Sequence, residues 1–330
     1  MQIAVVILNW NGAGLLQHFL PSVVAFSPEA DIYLADNDSS DDSVQIVKSQ
    51  FPTVKIIQND ANYGFAKGYN EALKHLAADI FALVNSDVEV TENWLKPIIE
   101  TFQNEPETAI VQPKILDFKR KDHFEYAGAA GGFIDKYGYP FCRGRIFDTI
   151  EKDEGQYDDD TNIFWASGAC FFIRSSVFQE LNGFDEDFFA HQEEIDLCWR
   201  AFNKGFHAKY ISGSKIYHVG GATLEQGNPQ KTYLNFRNSM FMLTKNLPKK
   251  QLFSRLFVRM ILDGIAAVQF LVKGKPKLFL AVLKAHGSFY NGFFKNYRKR
   301  VGFQNANYFQ RTSIVFDNYI KGKKTYQKLF

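Results

Sequence analysis

Along the first 115 residues, short apolar runs alternate with segments in which apolar residues recur every three to four positions. Residues 3–8, 32–35, 54–58, 80–85 and 109–113 read as buried strands, and 14–25, 42–50, 66–77 and 92–104 as helices packed by one face. This rhythm predicts an α/β fold, a mostly parallel twisted sheet with right-handed crossovers and helices on its faces. Ligands of such sheets sit beyond the carboxyl ends of the strands. The polar clusters fall there: Asn9-Trp10-Asn11-Gly12, Asp36-Asn37-Asp38-Ser39, the stretch from Asn59 to Asn70, and Asn85-Ser86-Asp87.

From about 118 to 160 the periodicity is lost in a Gly- and Asp-rich stretch, which reads as loops or an irregular insertion. Order returns over 164–173, followed by a helix about 192–204 with Gly205 as its stop, a strand about 207–218 and a helix near 232–245. Over 252–272 apolar residues recur at helical spacing, with Arg255, Arg259 and Asp263 four apart on the other side. That pattern predicts an amphipathic helix lying in a membrane interface, or alternatively one packed on protein.

Composition supports a large globular domain with an appendage: of 330 residues, 46% are hydrophobic and 22% charged, which excludes disordered and fibrous classes. The net charge of +2 hides a split. Residues 1–244 carry 20 Lys and Arg against 34 Asp and Glu, whereas 245–330 carry 18 against 2, with sixteen aromatic residues. An anionic membrane surface is the expected partner of that tail; no nucleic-acid-binding motif accompanies it. Three cysteines without CxxC spacing argue for a reducing compartment and against a thiolate zinc site. The first apolar run is too short for a signal peptide, and no window is long and apolar enough for a membrane span.

Several constellations carry candidate chemistry. Asp87, at the end of a buried strand, suits a hard divalent cation that also grips phosphates, although Asn, Ser and Asp are also turn formers. Asp36 suits a ribose or base hydrogen bond, or a helix cap. Gly64 and Gly68, opening a helix with Lys67, suit a diphosphate through free amides, while the absence of GxGxxG disfavours a Rossmann oxidoreductase. Glu193 and Glu194 open a helix, where they either complement its dipole or deprotonate a hydroxyl. His218, at a strand end before two glycines, is either a structural histidine or a second metal ligand. Arg237 suits a diphosphate clamp or a surface role.

Taken in order, VVILNWNG at 5–12, ADNDSSDDS at 35–43, NYGFAKGYN at 62–70, LVNSDV at 83–88, SGACFFIR at 167–174, GFDEDFF at 183–189, EEIDLCWR at 193–200 and YHVGGAT at 217–223 resemble family 2 glycosyltransferases of the GT-A fold. The resemblance is to the rhamnosyltransferase-like, cell-surface polysaccharide branch, and covers about 1–245. It implies a catalytic domain over 1–245, with a nucleotide-sugar half at 1–115 and an acceptor half at 116–245, and leaves 246–330 as a basic, aromatic-rich helical tail. It implies donor contacts at Asp36, Asn37, Asn62, Gly64 and Asn70, to which Asn9, Lys67, Asn85 and Arg237 are added as further donor-side candidates, and an acceptor side at Trp165, Ser167 and Gly168. It further implies Mg²⁺ or Mn²⁺ on Asp87 and His218, and a catalytic base at Glu194 beside Glu193. Two departures stand out: the usual DxD is NxD here, and the base, commonly Asp, is Glu.

The activity so implied is inverting transfer from a nucleoside diphosphate sugar, UDP- or dTDP-linked, to a hydroxyl of a glycan or lipid-linked glycan. The implied location is cytoplasmic, peripheral on the inner face of the cell membrane. A sugar nucleotidyltransferase and a non-catalytic nucleotide-sugar-binding scaffold are the alternatives.

Overall fold

The computed structural model describes residues 1–220, 227–300 and 302–330. The amino-terminal half alternates as expected: β1 (Ile3–Asn9), α1 (Ala13–Ala25), β2 (Ala30–Asp36), α2 (Ser43–Gln50), β3 (Lys55–Gln58), α3 (Gly64–Leu73), β4 (Ile80–Asn85), β5 (Val88–Val90), α4 (Lys96–Asn104) and β6 (Thr108–Asp117). Next come β7 (Gly132–Ile134), β8 (Pro140–Cys142), β9 (Arg145–Ile146), β10 (Thr149–Ile150), β11 (Thr161–Ile163) and β12 (Cys170–Arg174). The remainder is α5 (Ser175–Glu180), α6 (Glu193–Asn203), β13 (His207–His218), α7 (Pro229–Asn246), α8 (Lys249–Val272), α9 (Pro276–Arg298) and α10 (Ile314–Tyr319).

Among the described residues, nine strands form the central sheet, in the order β11-β13-β6-β12-β4-β1-β2-β3, with β5 also on β13. β3, β2, β1 and β4 are parallel, as are β6 and β13, whereas β12 runs antiparallel between β4 and β6. The central strands are apolar on both sides: Val5, Val6, Leu83, Val84 and Ile110 are wholly buried, as a sheet covered on two faces requires. The 118–160 stretch is not irregular throughout. It holds a four-stranded antiparallel sheet, β10-β9-β8-β7, whose strands of two or three residues are too short for alternation to register in the sequence.

The segment 246–330 is not a separate unit. Leu247, Leu252, Leu256, Phe289, Ile314 and Leu329 belong to the same core as Phe81, Trp165 and Trp199. Part of the charge split resolves here, because Lys299 Nζ lies 2.5 Å from Asp185 Oδ1 and 2.7 Å from Asp187 Oδ2. α8 exists as the spacing predicts, with Leu252 and Leu256 inward, but part of its expected polar side is buried and part of its apolar side exposed. Arg259 and Asp263, expected to face solvent, are buried as an ion pair at 2.7 Å, with the Tyr139 hydroxyl donating to Asp263. A paired, hydrogen-bonded charge tolerates burial that an isolated one does not. No helix among the described residues is long and apolar enough to cross a membrane.

Candidate active site

Because β1, β2 and β4 are parallel and in register, Asn9, Asp36 and Asn85 end along one edge of the sheet. Asn9 Nδ2 donates to Asp36 Oδ1 and Ser39 Oγ at 3.2 Å each, and the Ser39 amide donates to Asp36 Oδ2 at 3.0 Å. Asn9 Oδ1 is buried without a protein partner. Gly12 leaves room for it: a Cβ there would stand 2.3 Å from that oxygen. Trp10, beside these buried residues, is exposed.

Asp87 lies two residues beyond β4 and meets the end of β13, since β5 pairs Val88 with His218. Asp87 Oδ1 is 3.1 Å from His218 Nε2, both side chains are buried, and the Asn85 amide is 3.5 Å from the same nitrogen. Behind the ring, Glu125 Oε1 lies 3.4 Å from His218 Nδ1. Burial alone would discharge the imidazole, but Glu125 and Asp87 outweigh it and push its pKa up to about 10. Burial likewise opposes ionisation of Asp87, yet the facing His218 holds its carboxyl below the usual range.

The pair can hold a hard cation once His218 gives up its proton and the ion pair with Asp87 opens. Among the described residues no group of three or more His, Cys, Asp or Glu side chains is placed to hold a metal ion. The three cysteines are buried and unpaired.

On the other wall, α6 opens with Glu193, Glu194 and Asp196 in its first turn. The backbone reaching it is strained: Phe189, His191 and Gln192 have φ of 64°, 70° and 73°, a region that residues other than glycine seldom adopt. Glu193 is buried and Glu194 half-buried. Burial raises the Glu194 carboxyl to about 7, and burial with the Glu194 charge raises Glu193 further above its ordinary value. Glu194 Oε2 has no protein partner. The Glu194 Cδ lies 3.8 Å from where a Cβ on Gly168 would stand, and the next residue, Ala169, accepts the Asn85 amide at 2.9 Å. Gly168 and Ala169 thus connect the surroundings of the glutamate to the backbone of Asn85.

Residues 4–181, more than half of the chain, match the family described as Glycosyl transferase family 2. The chain belongs to this family. A similar curated protein, the N-acetylglucosaminyl-diphospho-decaprenol L-rhamnosyltransferase of Mycobacterium tuberculosis, is 25% identical over 233 residues, covering 65% of this chain and 75% of that one. The low-salt glycan biosynthesis hexosyltransferase Agl10 of Haloferax volcanii is 22% identical over 244 residues, 72% of this chain and 73% of that one. Among solved structures, GalNAc-T7 with UDP, GalNAc and Mn²⁺ superposes with a TM-score of 0.62 at 15% identity, over 98% of this chain and 57% of that one. The mannosyltransferase PcManGT of Pyrobaculum calidifontis, with GDP-Man and Mn²⁺, gives 0.55 at 13% identity, over 88% and 87%. At these identities the structures establish the GT-A fold alone.

Within this glycosyltransferase fold, several expected contacts have other occupations. Asn70 Nδ2 donates to the Phe184 carbonyl and its Oδ1 accepts the Phe184 amide, both at 2.9 Å, so it clamps α3 to the loop before α6. Asn37 is held by the Gly64 carbonyl and by Asn59. The amides opening α3 are not free: Phe65 donates at 2.8 Å and Ala66 at 3.3 Å to the Phe189 carbonyl, and Gly64 donates to Asn62 Oδ1. Gly64 has φ of 70° and packs against Phe189, where a Cβ would clash at 2.7 Å. Lys67 lies over the Tyr63 ring. Arg237 is no diphosphate clamp, because it donates to the Asp187 and Phe188 carbonyls and to Asn238 Oδ1. Trp165 and Ser167 are buried, Trp165 donating to the Phe133 carbonyl, so of the three acceptor-side candidates only Gly168 meets the site. Gly221, Ala222 and Thr223 of the run after His218 lie outside the described residues.

Three groups escaped the sequence reading: Glu125, His191 and Lys231. Burial and Lys231 hold the His191 imidazole neutral, with its pKa down to about 4. Nothing local signals these residues, since the sheet and α7 assemble them from distant stretches. Asn238 is the keystone of the strained loop, its Nδ2 donating to the carbonyls of Phe188, Ala190 and His191 at 3.0, 2.9 and 2.7 Å. Asn238→Ala is expected to destabilise the fold by about 1–3 kcal/mol in urea unfolding. In steady-state kinetics it should lower kcat more than it raises KM.

Proposed function

We propose that this chain is an inverting glycosyltransferase, moving a sugar from a UDP- or dTDP-linked donor to a hydroxyl of a glycan or lipid-linked glycan. The proposed setting is cell-surface polysaccharide assembly, with the enzyme peripheral on the inner membrane face. The observation that carries the reading is the half-buried Glu194 carboxylate, with Oε2 free of a protein partner, against Gly168, whose neighbour Ala169 accepts the Asn85 backbone amide on the way to the buried Asp87 and His218 pair. The relatives' rhamnosyl and hexosyl transfer supports it.

Asp36, with Asn9 behind it, would receive the nucleoside, while Asp87 and His218, with Asn85 beside them, would hold Mg²⁺ or Mn²⁺. When bound, the cation neutralises charge on the departing diphosphate. Glu194 takes the acceptor hydroxyl proton as that oxygen bonds to the anomeric carbon, and the carbon–oxygen bond to the diphosphate breaks with its electron pair. One attack inverts the centre once, so no covalent sugar–enzyme intermediate forms.

A UDP- or dTDP-sugar with Mn²⁺ at 100 times its Kd is expected to stabilise the protein by about 2.7 kcal/mol, read as a thermal shift. Incubation with acceptor should release nucleoside diphosphate. Binding without release would identify a scaffold, and pyrophosphate formed from a sugar phosphate and nucleoside triphosphate a nucleotidyltransferase.

A further inference from the structure

We propose that the outward face of the α8 and α9 hairpin inserts its apolar side chains into an anionic lipid interface, with lysines at its rim meeting the headgroups. This rests on the membrane reading of the tail and is independent of sugar transfer. Attachment by a charged helix face, the expectation from spacing, is excluded on α8 because Arg259 and Asp263 are turned inward. What α8 presents outward instead is Phe257, Ile261, Ile265 and Val272, with exposures of 62%, 48%, 61% and 81%. These residues follow one line of the helix. From 251 to 272 no exposed position is charged, and Leu280 and Leu283 of α9 are exposed as well, at 59% and 51%. Helices of this length with one continuous apolar face lie in a bilayer interface rather than cross it.

Charge selects the occupant. From 249 to 300 the sole acidic residue is Asp263, which is fully buried. The exposed Lys249 and Lys250 stand at one end of the apolar line, and Lys273, Lys275 and Lys277 at the other. A second copy of the chain would set cationic rims of its own near these, whereas anionic headgroups complement them.

The position also suits the site. α9 runs beside α7, with the Tyr233 hydroxyl 3.0 Å from Ser288 Oγ and Arg300 on the Thr244 carbonyl. The hairpin tip therefore lies toward the amino-terminal end of α7, the end that follows His218.

The test is co-sedimentation of the full chain with vesicles of phosphatidylcholine containing phosphatidylglycerol, at low salt and at 1 M salt. Wild type should pellet with these vesicles and keep a substantial bound fraction at 1 M salt, because insertion is not screened as surface charge is. The double variant Phe257→Glu with Ile265→Glu alters only exposed positions. It should lower partitioning by roughly tenfold or more while keeping its thermal shift with nucleotide-sugar. Equal partitioning of variant and wild type would overturn the proposal, and so would complete release by salt. A wild-type dimer in ultracentrifugation that the double variant dissociates, without vesicle binding, would overturn it in favour of a second copy.

Discussion

Asp87→Ala is expected to abolish divalent-dependent donor binding and to lower turnover by about 10³-fold, equivalent to about 4 kcal/mol of transition-state stabilisation. The effect should be large because the NxD sequence leaves Asp87 as the one carboxylate of that motif, Asn85 contributing no charge. His218→Ala should weaken binding less, since it removes an imidazole that must lose its proton before it can bind a cation, and leaves the carboxylate. Calorimetric titration of nucleotide-sugar with and without Mn²⁺ checks both. Equal donor affinity in wild type and both variants would remove the metal assignment. A depressed affinity in the absence of metal as well would instead point to collapse of the cluster, because Asp87→Ala leaves His218 facing Glu125 alone.

One long strand is legible in the sequence, although the 23-residue α9 is not. The 207–218 run matches β13 from His207 to His218, because buried and less buried positions alternate along most of it, on either side of a register shift between Ile211 and Lys215. The order Asp36, Asp87, Glu193-Glu194, His218 was readable too, since strand ends and a helix start carry these residues at fixed places in the fold.

What escaped was non-local. Glu125 reaches His218 across the sheet from a stretch without periodicity, and nothing near it in sequence marks the contact. Asn70 looked like a ligand because the resemblance places it in the nucleotide-sugar site; its partner, Phe184, lies 114 positions away and makes it a clamp. The tail misled through a real feature, the spacing of Arg259 and Asp263. An i, i+4 ion pair reads as a solvated face, and only Tyr139 and His286, supplied by other elements, make the same pair a buried one.

Glu194→Gln is expected to lower kcat by about 10²–10⁴ while donor affinity holds, because the amide keeps the shape and cannot take a proton. Burial raises the Glu194 carboxyl to about 7, so wild-type kcat should climb with pH through that region and Glu194→Gln should lose the climb. If Glu193→Gln carries the loss instead, the base is its neighbour. Stability supplies an independent reading. A carboxyl whose folded pKa lies above its unfolded value favours the fold while protonated. The stability it lends is full below about 4.5 and is lost as pH rises through about 7. Glu194→Gln should therefore melt above wild type at pH 8 and close to it at pH 4.5. Lost turnover in a variant that is more stable at pH 8 is the signature of a carboxylate kept in an unfavourable place for its chemistry. A variant that melts below wild type at pH 8 would show that Glu194 supports the fold instead.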